Sequence, residues 1–282
     1  MTDLRVSTSL EFSHRRAAKL VMMNGPKALE EARAVCEVKN RFGCDAQPIT
    51  MGQALEIEPA LDHMKNNYAG AVYSQSDEVG DSQVFTSRLG QWLVENHDTE
   101  FLMNTTVREI TTMSGKLEAV ETDRGTLKPD AVVVCLGAWS YGLLRRLGIG
   151  GSIYPMRGYS VTLPSIETSN SVSITDPGSK TVFSRLGDQI RIAGFADFVG
   201  YRTTKDETRI ETLIETARRT APAIADFTVK STHPWGGFRP MTPDSQPIVG
   251  PSAIEGVHLN TGHGMLGWTL ACVSGHKVAT GI

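Results

Sequence analysis

The chain reads as a mixed α/β protein in which an α/β domain is interleaved with an antiparallel-rich one. Three observations predict this. Helix-like and strand-like segments follow one another without strict βαβ order. The middle of the chain carries period-two hydrophobicity over FLMNTTVREI and KLEAVET, the mark of half-buried strands. Near the end, VHLNTGHGMLGWTLACVSG (257–275) reads as an apolar strand, a glycine-rich turn and an apolar helix.

Taken in order, Leu4 to Thr8 predicts a strand. A helix follows with Pro26 in its first turn, Gly43 at its end and Leu29, Ala32, Val35, Cys36 and Val38 as its apolar stripe. Residues 71–74 predict a strand, and Asp81 is placed to N-cap a helix whose apolar face is Val84, Phe85, Leu89, Trp92 and Leu93. FLMNTTVREI and KLEAVET flank Ser114-Gly115, a hairpin turn. DAVVVCLGAWS is continuously apolar, which predicts a strand covered on both faces. IYPMRGYSVTL predicts another strand, KTVFSRL and QIRIAGFA a hairpin turning at Gly187-Asp188, and Thr204 to Glu207 a capping box for a helix through Ile210, Leu213, Ile214 and Ala217 that stops near Pro222. No clean linker is present, so a two-domain division crosses more than once: 1–78 with 150–233, and 79–149 with 234–282.

Composition narrows the function classes. The 282 residues are 40% hydrophobic and 21% charged with a net charge of −3 and no basic block, which disfavours a nucleic-acid partner. The longest strongly apolar run, Ala131 to Ala138, falls short of the roughly 20 residues of a membrane span, and MTDLRVSTSLEFSHRR has no apolar signal region, so neither a signal peptide nor a transmembrane helix is expected. Cys36, Cys44, Cys135 and Cys272 are scattered, without metal-ligand spacing to His63, His97 or His258. They are expected to be reduced and structural, Cys135 and Cys272 inside apolar elements, in a reducing compartment such as the cytoplasm; no metal site is expected.

Four stretches suit ligand chemistry. In WGGFRPMTPDSQPIVG (235–250), Arg239 is the only cation in a rigid, proline- and glycine-punctuated segment, and its planar fork matches a carboxylate. A surface arginine bonding loop carbonyls would explain it as well. Backbone N–H groups of Gly264, Met265 and Leu266 would open a helix, an anion-binding device, although a packed strand-turn-helix is the plain alternative. Gly262, Gly264 and Gly267 spell G-x-G-x-x-G, yet a dinucleotide fingerprint needs a following βα unit and a later acidic residue. VVCLGAWS ends a strand at Gly137 and starts a helix. In YPMRGYS, Arg157 and Tyr159 would share one strand face. No Ser-His-Asp arrangement is discernible.

Together these stretches resemble the FAD-dependent D-amino acid oxidase-like superfamily, most closely its bacterial D-amino acid dehydrogenases. The resemblance runs from LEIEPAL and AVYSQSDEVGDSQVF through FLMNTTV, CLGAWS, YPMRGYSVTL and RIAGFADFVG to GFRPMTPDSQPIVG and LNTGHGMLGWTLACVSG. It implies a partial FAD/NAD(P)-binding-like domain (79–149 and 234–282) interleaved with an antiparallel-sheet substrate-binding domain (1–78 and 150–233). By position it implies that Arg239 pairs with the substrate carboxylate and Tyr159 lines the substrate pocket. It further implies that Gly262, His263, Gly264, Met265 and Leu266 lie against the flavin, that Val107 meets the adenine, and that Gly137 and Ala138 lie near the middle of the dinucleotide. The implied activity is oxidative deamination of a D-amino acid to a 2-oxo acid and ammonia, electrons passing to a quinone or carrier. That route suggests peripheral contact with the inner face of the bacterial inner membrane. Glycine, sarcosine or D-hydroxyproline is the rival substrate, and a catalytically inactive binding scaffold is the rival class. The family opens on a strand and a G-x-G-x-x-G turn for the FAD pyrophosphate, which does not precede Leu4, so the resemblance implies a fragment that binds FAD poorly and an activity that belongs to the complete protein. Ser245 stands where the family usually has glycine.

Overall fold

A computed structural model describes residues 1–204, 206–231 and 233–282. In chain order the elements are α1 (Thr2–Thr8), β1 (Arg15–Arg16), β2 (Lys19–Met23), α2 (Pro26–Arg41), β3 (Ala46–Thr50), α3 (Met51–Ile57), β4 (Gly70–Ser74), β5 (Glu78–Val79) and α4 (Ser82–Asn96). They continue with β6 (Val107–Met113), β7 (Lys116–Thr122), β8 (Gly125–Leu127), β9 (Val132–Val134), α5 (Ser140–Arg146), β10 (Tyr154–Pro164), β11 (Ser173–Asp176), β12 (Thr181–Leu186) and β13 (Gln189–Asp197). Last come α6 (Glu207–Thr220), β14 (Trp235–Met241), β15 (Ile248–Pro251), β16 (Val257–Thr261) and α7 (Gly267–Ala279).

Eight strands form one sheet in the order β14-β10-β13-β12-β11-β2-β4-β3, antiparallel except where β11 meets β2. Its strands come from residues 19–74 and 154–241. The expected division at 233/234 does not follow the sheet, because β14 joins it by pairing along β10. The main core lies between this sheet and α6, with Val161, Phe183, Ile190 and Ile192 packed beneath Leu213 and Ala217. A second core joins the β6-β7-β8 meander to the β15-β16-β9 sheet and α5 through Ile110, Val120, Val134, Leu144, Val257 and Leu259. Phe12, Phe85 and Trp268 meet edge-on, tying the chain before β1 to α4 and α7.

Several elements follow their local chemistry. Asp81 caps α4 by accepting from the N–H groups of Gln83 and Val84 at 3.0 and 3.2 Å. Ser114 and Gly115, at φ 52° and 78°, make the tight turn between β6 and β7 with the twist that two-residue hairpins favour.

Other expectations are corrected. Leu4 to Thr8 lies within helix α1: the Ser7 and Thr8 hydroxyls bond back to the Leu4 carbonyl at 3.0 and 2.6 Å, a local satisfaction that needs no partner strand. In α2 only Cys36 of the expected stripe is fully buried, and Val35 and Val38 are exposed. Phe101, Leu102 and Met103 are exposed and precede the strand, which starts at Val107. Asp206, not Thr204, caps α6, accepting from the Arg209 N–H at 3.0 Å. The run through VVVCLGAW is not covered on both faces: among the described residues β9 pairs only with β16, Cys135 and Leu136 are exposed, and so is Cys272.

Candidate active site

The parallel pairing of β9 and β16 brings their carboxyl ends side by side, the position at which α/β sheets bind ligands. After β9, Gly137 (φ 54°) and the buried Ala138 form a 3-10 turn over Gly137–Trp139. After β16, Gly262 (φ 76°) and Gly264 (φ 53°) lead into a second, Gly264–Leu266, and then α7. The two turns are tied together: Thr261 Oγ1 donates to the Gly137 carbonyl at 3.1 Å, and the Ser140 hydroxyl lies 2.8 Å from Thr261 Oγ1. The Leu266 N–H is consumed by the His263 carbonyl at 2.9 Å. Those of Gly264 and Met265 meet no acceptor among the described residues and stand at the positive end of a 13-residue helix. His263 Nε2 lies 2.9 Å from Ser274 Oγ, and burial pushes its imidazole pKa down. Val107 opens β6 with its side chain exposed, in a different sheet from both turns.

Arg239 reaches this region through the register of β14. Met156 faces Arg239, Gly158 faces Gly237 and Tyr154 faces Met241, so Met156, Gly158, Arg239 and Met241 share one face of the sheet. The glycine turn rests on that face: a Cβ at Gly264 would stand 3.0 Å from Met241 Sδ. Arg239 is half-buried. Its Nη1 donates to the Phe195 carbonyl at 2.8 Å, and no carboxylate pairs with it among the described residues. Burial lowers its pKa with no anion to offset the desolvation. A guanidinium kept partly dry with only a carbonyl for company is a site for an added anion.

Tyr159 is elsewhere. It shares a face with Arg157, as strand alternation predicts, and that face is opposite the one carrying Arg239. Tyr159 is buried under α6, where burial and then the hydrogen-bonded Asp197 raise its hydroxyl pKa. Asp197 holds Arg209 with two 2.7 Å bonds, and the Arg209 guanidinium lies 4.2 Å from the Phe195 ring centroid. Arg157, 4% exposed, donates to the Arg202 and Thr203 carbonyls. Arg157, Tyr159, Arg202 and Asp206 line a cavity of about 460 Å³ on this side. The structure therefore does not bring Tyr159 together with Arg239.

Two contributors escape the sequence reading. Phe195 adopts φ 61° where β13 bulges against β10, between the Arg157–Asp197 and Tyr159–Gly194 pairs, and this turns its carbonyl to Arg239. Tyr201 donates to the Ala138 carbonyl at 3.0 Å, binding the chain after β13 to the first glycine turn. Neither leaves a periodic signal, since both depend on contacts between distant strands.

The FAD dependent oxidoreductase model, DAO, matches residues 2–280. The D-amino acid dehydrogenase of Methylobacterium nodulans is 34% identical over 282 residues, 99% of this chain and 66% of the relative. That of Paramagnetospirillum magneticum is 36% identical over 279 residues, covering 98% and 65%. The chain thus spans about two thirds of the length of these curated relatives. The crystal structure of glycine oxidase from Geobacillus kaustophilus superposes with a TM-score of 0.87 at 21% identity, covering 99% of this chain and 74% of that one. The chain belongs to the FAD dependent oxidoreductase (DAO) family.

Proposed function

We propose that the complete protein carries out flavin-dependent oxidative deamination of D-amino acids, giving 2-oxo acids and ammonia. The observation that carries this reading is the placement of Arg239, half-buried and without an anionic partner among the described residues, on the sheet face that supports the Gly262–Leu266 turn. Similarity to curated D-amino acid dehydrogenases along nearly the whole chain supports the substrate class.

The residues present fit FAD. Gly264 and Met265 offer two amides unused among the described residues at a helix start, and nothing stands within 4 Å of where a Gly137 Cβ would be, which leaves that backbone open to close approach. Met265, 69% exposed, and Trp139, 55% exposed, flank the two turns with uncovered apolar surface suited to a flat ring. When bound, FAD supplies the acceptor for the hydride of the substrate α-carbon. Arg239 grips the carboxylate and so fixes the α-carbon, while the α7 amides favour negative charge on a group lying against them. This assignment needs no protein base. Tyr159 lies on the opposite face of the sheet, in the Asp197–Arg209 layer, and is given no part in gripping the carboxylate. Val107, Gly137, Ala138 and Gly262 to Leu266 are the cofactor contacts in this reading. Transfer of electrons to a quinone or carrier, and peripheral contact with the inner face of the inner membrane, belong to the same reading. Among the described residues no helix is long and apolar enough to cross a membrane.

Steady-state rates with D-alanine, D-proline derivatives, glycine and sarcosine on the complete protein test the substrate. Activity on D-amino acids is expected, and activity confined to sarcosine or glycine would reject it.

A further inference from the structure

Arg239 is the only expected catalytic side chain facing the glycine turn, and what holds it in place is unusual. An ideal Cβ built on Gly158 would overlap Arg239 Cζ, Nη1 and Nη2 together, at equal distances from all three. Equal distances mean that the missing Cβ would strike the flat of the fork, so the guanidinium lies across the bare Cα of Gly158. Gly158 faces Gly237 across the strands, and the Trp235 ring occupies the space above Gly237 in the same way. A cross-strand pair without side chains thus gives this sheet face a floor, with an aromatic ring on one half and a guanidinium on the other. The second restraint is the β13 bulge. At Phe195 the backbone enters the left-handed region, costly for a bulky residue, and its carbonyl takes Arg239 Nη1 at 2.8 Å.

We propose that Gly158 is a positioning residue for substrate binding: by lacking a Cβ it lets Arg239 lie flat against the sheet and reach the Phe195 carbonyl, leaving the rest of the fork for a carboxylate. This rests on the reading of Arg239 as the carboxylate anchor and adds which residue sets its geometry. Gly158 is outside the left-handed region of backbone space, so alanine is admissible there for the chain itself. The obstacle to Gly158→Ala is Arg239. With the Cβ in place the guanidinium must lift away, losing the Phe195 bond and the orientation of its remaining donors.

The test is a double-mutant cycle on the complete protein, with benzoate as a carboxylate that cannot be oxidised and calorimetry as the readout. Arg239→Ala is expected to weaken benzoate by about tenfold or more, the loss of a charge-assisted bond. Gly158→Ala is expected to weaken it comparably. The double variant should bind no worse than Arg239→Ala alone, since Gly158 acts only through Arg239. If Gly158→Ala does not fold, recovery of a folded protein in the double variant reads the same coupling as a melting temperature. Gly158→Ala binding within twofold of the parent, or an equal penalty with and without Arg239, or failure of both alanine variants to fold, overturns the positioning role. Benzoate binding unaffected by Arg239→Ala, or no benzoate binding by the parent, instead overturns the anchor reading itself.

Discussion

Replacing Gly262 by alanine perturbs the turn that presents the α7 amides, and the structure separates the cost into two parts. The first is conformational: Gly262 has φ 76°, and an L-residue in the left-handed region costs roughly 1–2 kcal/mol. The second is steric. The new Cβ would stand 2.8 Å from Thr242 Cγ2, and Thr242 cannot swing aside freely because its hydroxyl donates to the Gln246 carbonyl at 2.9 Å. Breaking that bond adds roughly 0.5–1.5 kcal/mol, for a total of about 1.5–3.5 kcal/mol. Urea unfolding of Gly262→Ala and of Gly262→Ala with Thr242→Ser separates the parts, because serine keeps the hydroxyl and removes the obstructing methyl. The double variant should recover the steric part and retain the conformational one. A Gly262→Ala cost below about 0.5 kcal/mol, beneath even the conformational term, or no recovery with serine, would refute the reasoning.

Other consequences follow from the same geometry. Ser245 sits at φ 60° in the turn where its N–H donates to the Thr242 carbonyl at 3.2 Å, so Ser245→Gly should raise stability by about 0.5–1 kcal/mol, seen as a higher melting temperature. A lower one would show that the serine is not strained. His263, held below its ordinary 6.5 by burial, stays neutral while the unfolded chain takes up a proton. Its contribution therefore declines as pH falls through 6.5, and His263→Gln should flatten the stability–pH curve there; an unchanged curve contradicts this. For Asp81, burial alone would raise the carboxyl, but the bond from Arg191 and the Val84 and Gln83 amides outweigh it and hold it below 3.8. That stabilisation is complete above the unfolded value and disappears as pH falls through the folded one, so Asp81→Asn should shift acid unfolding less than it lowers neutral-pH stability. Equal losses at both pH values would refute the assignment.

Much of this architecture is legible in the residues themselves. Asp81, the Ser114-Gly115 turn and the hairpin at Gly187-Asp188 carry their instructions locally, and the structure places each as expected. The glycine turn before α7 is equally local. What escapes is everything set by register. Alternation puts Arg157 and Tyr159 on one face, but which face Arg239 joins depends on whether it pairs with Met156 or one residue along, and one step reverses the answer. The Phe195 bulge is likewise a property of two strands together. The strand expected over Leu4 to Thr8 fails for the opposite reason: five residues with weak alternation leave the choice to side-chain bonds back onto Leu4.

The central claim is that the Arg239 fork and the amino end of α7 face one ligand. A crystal structure of the complete protein with FAD and benzoate tests it most directly. The prediction is a carboxylate within hydrogen-bonding distance of Arg239 and a flavin ring against the Gly264 and Met265 amides. A flavin seated elsewhere, or benzoate bound away from Arg239 in the Arg157 cavity, would contradict it.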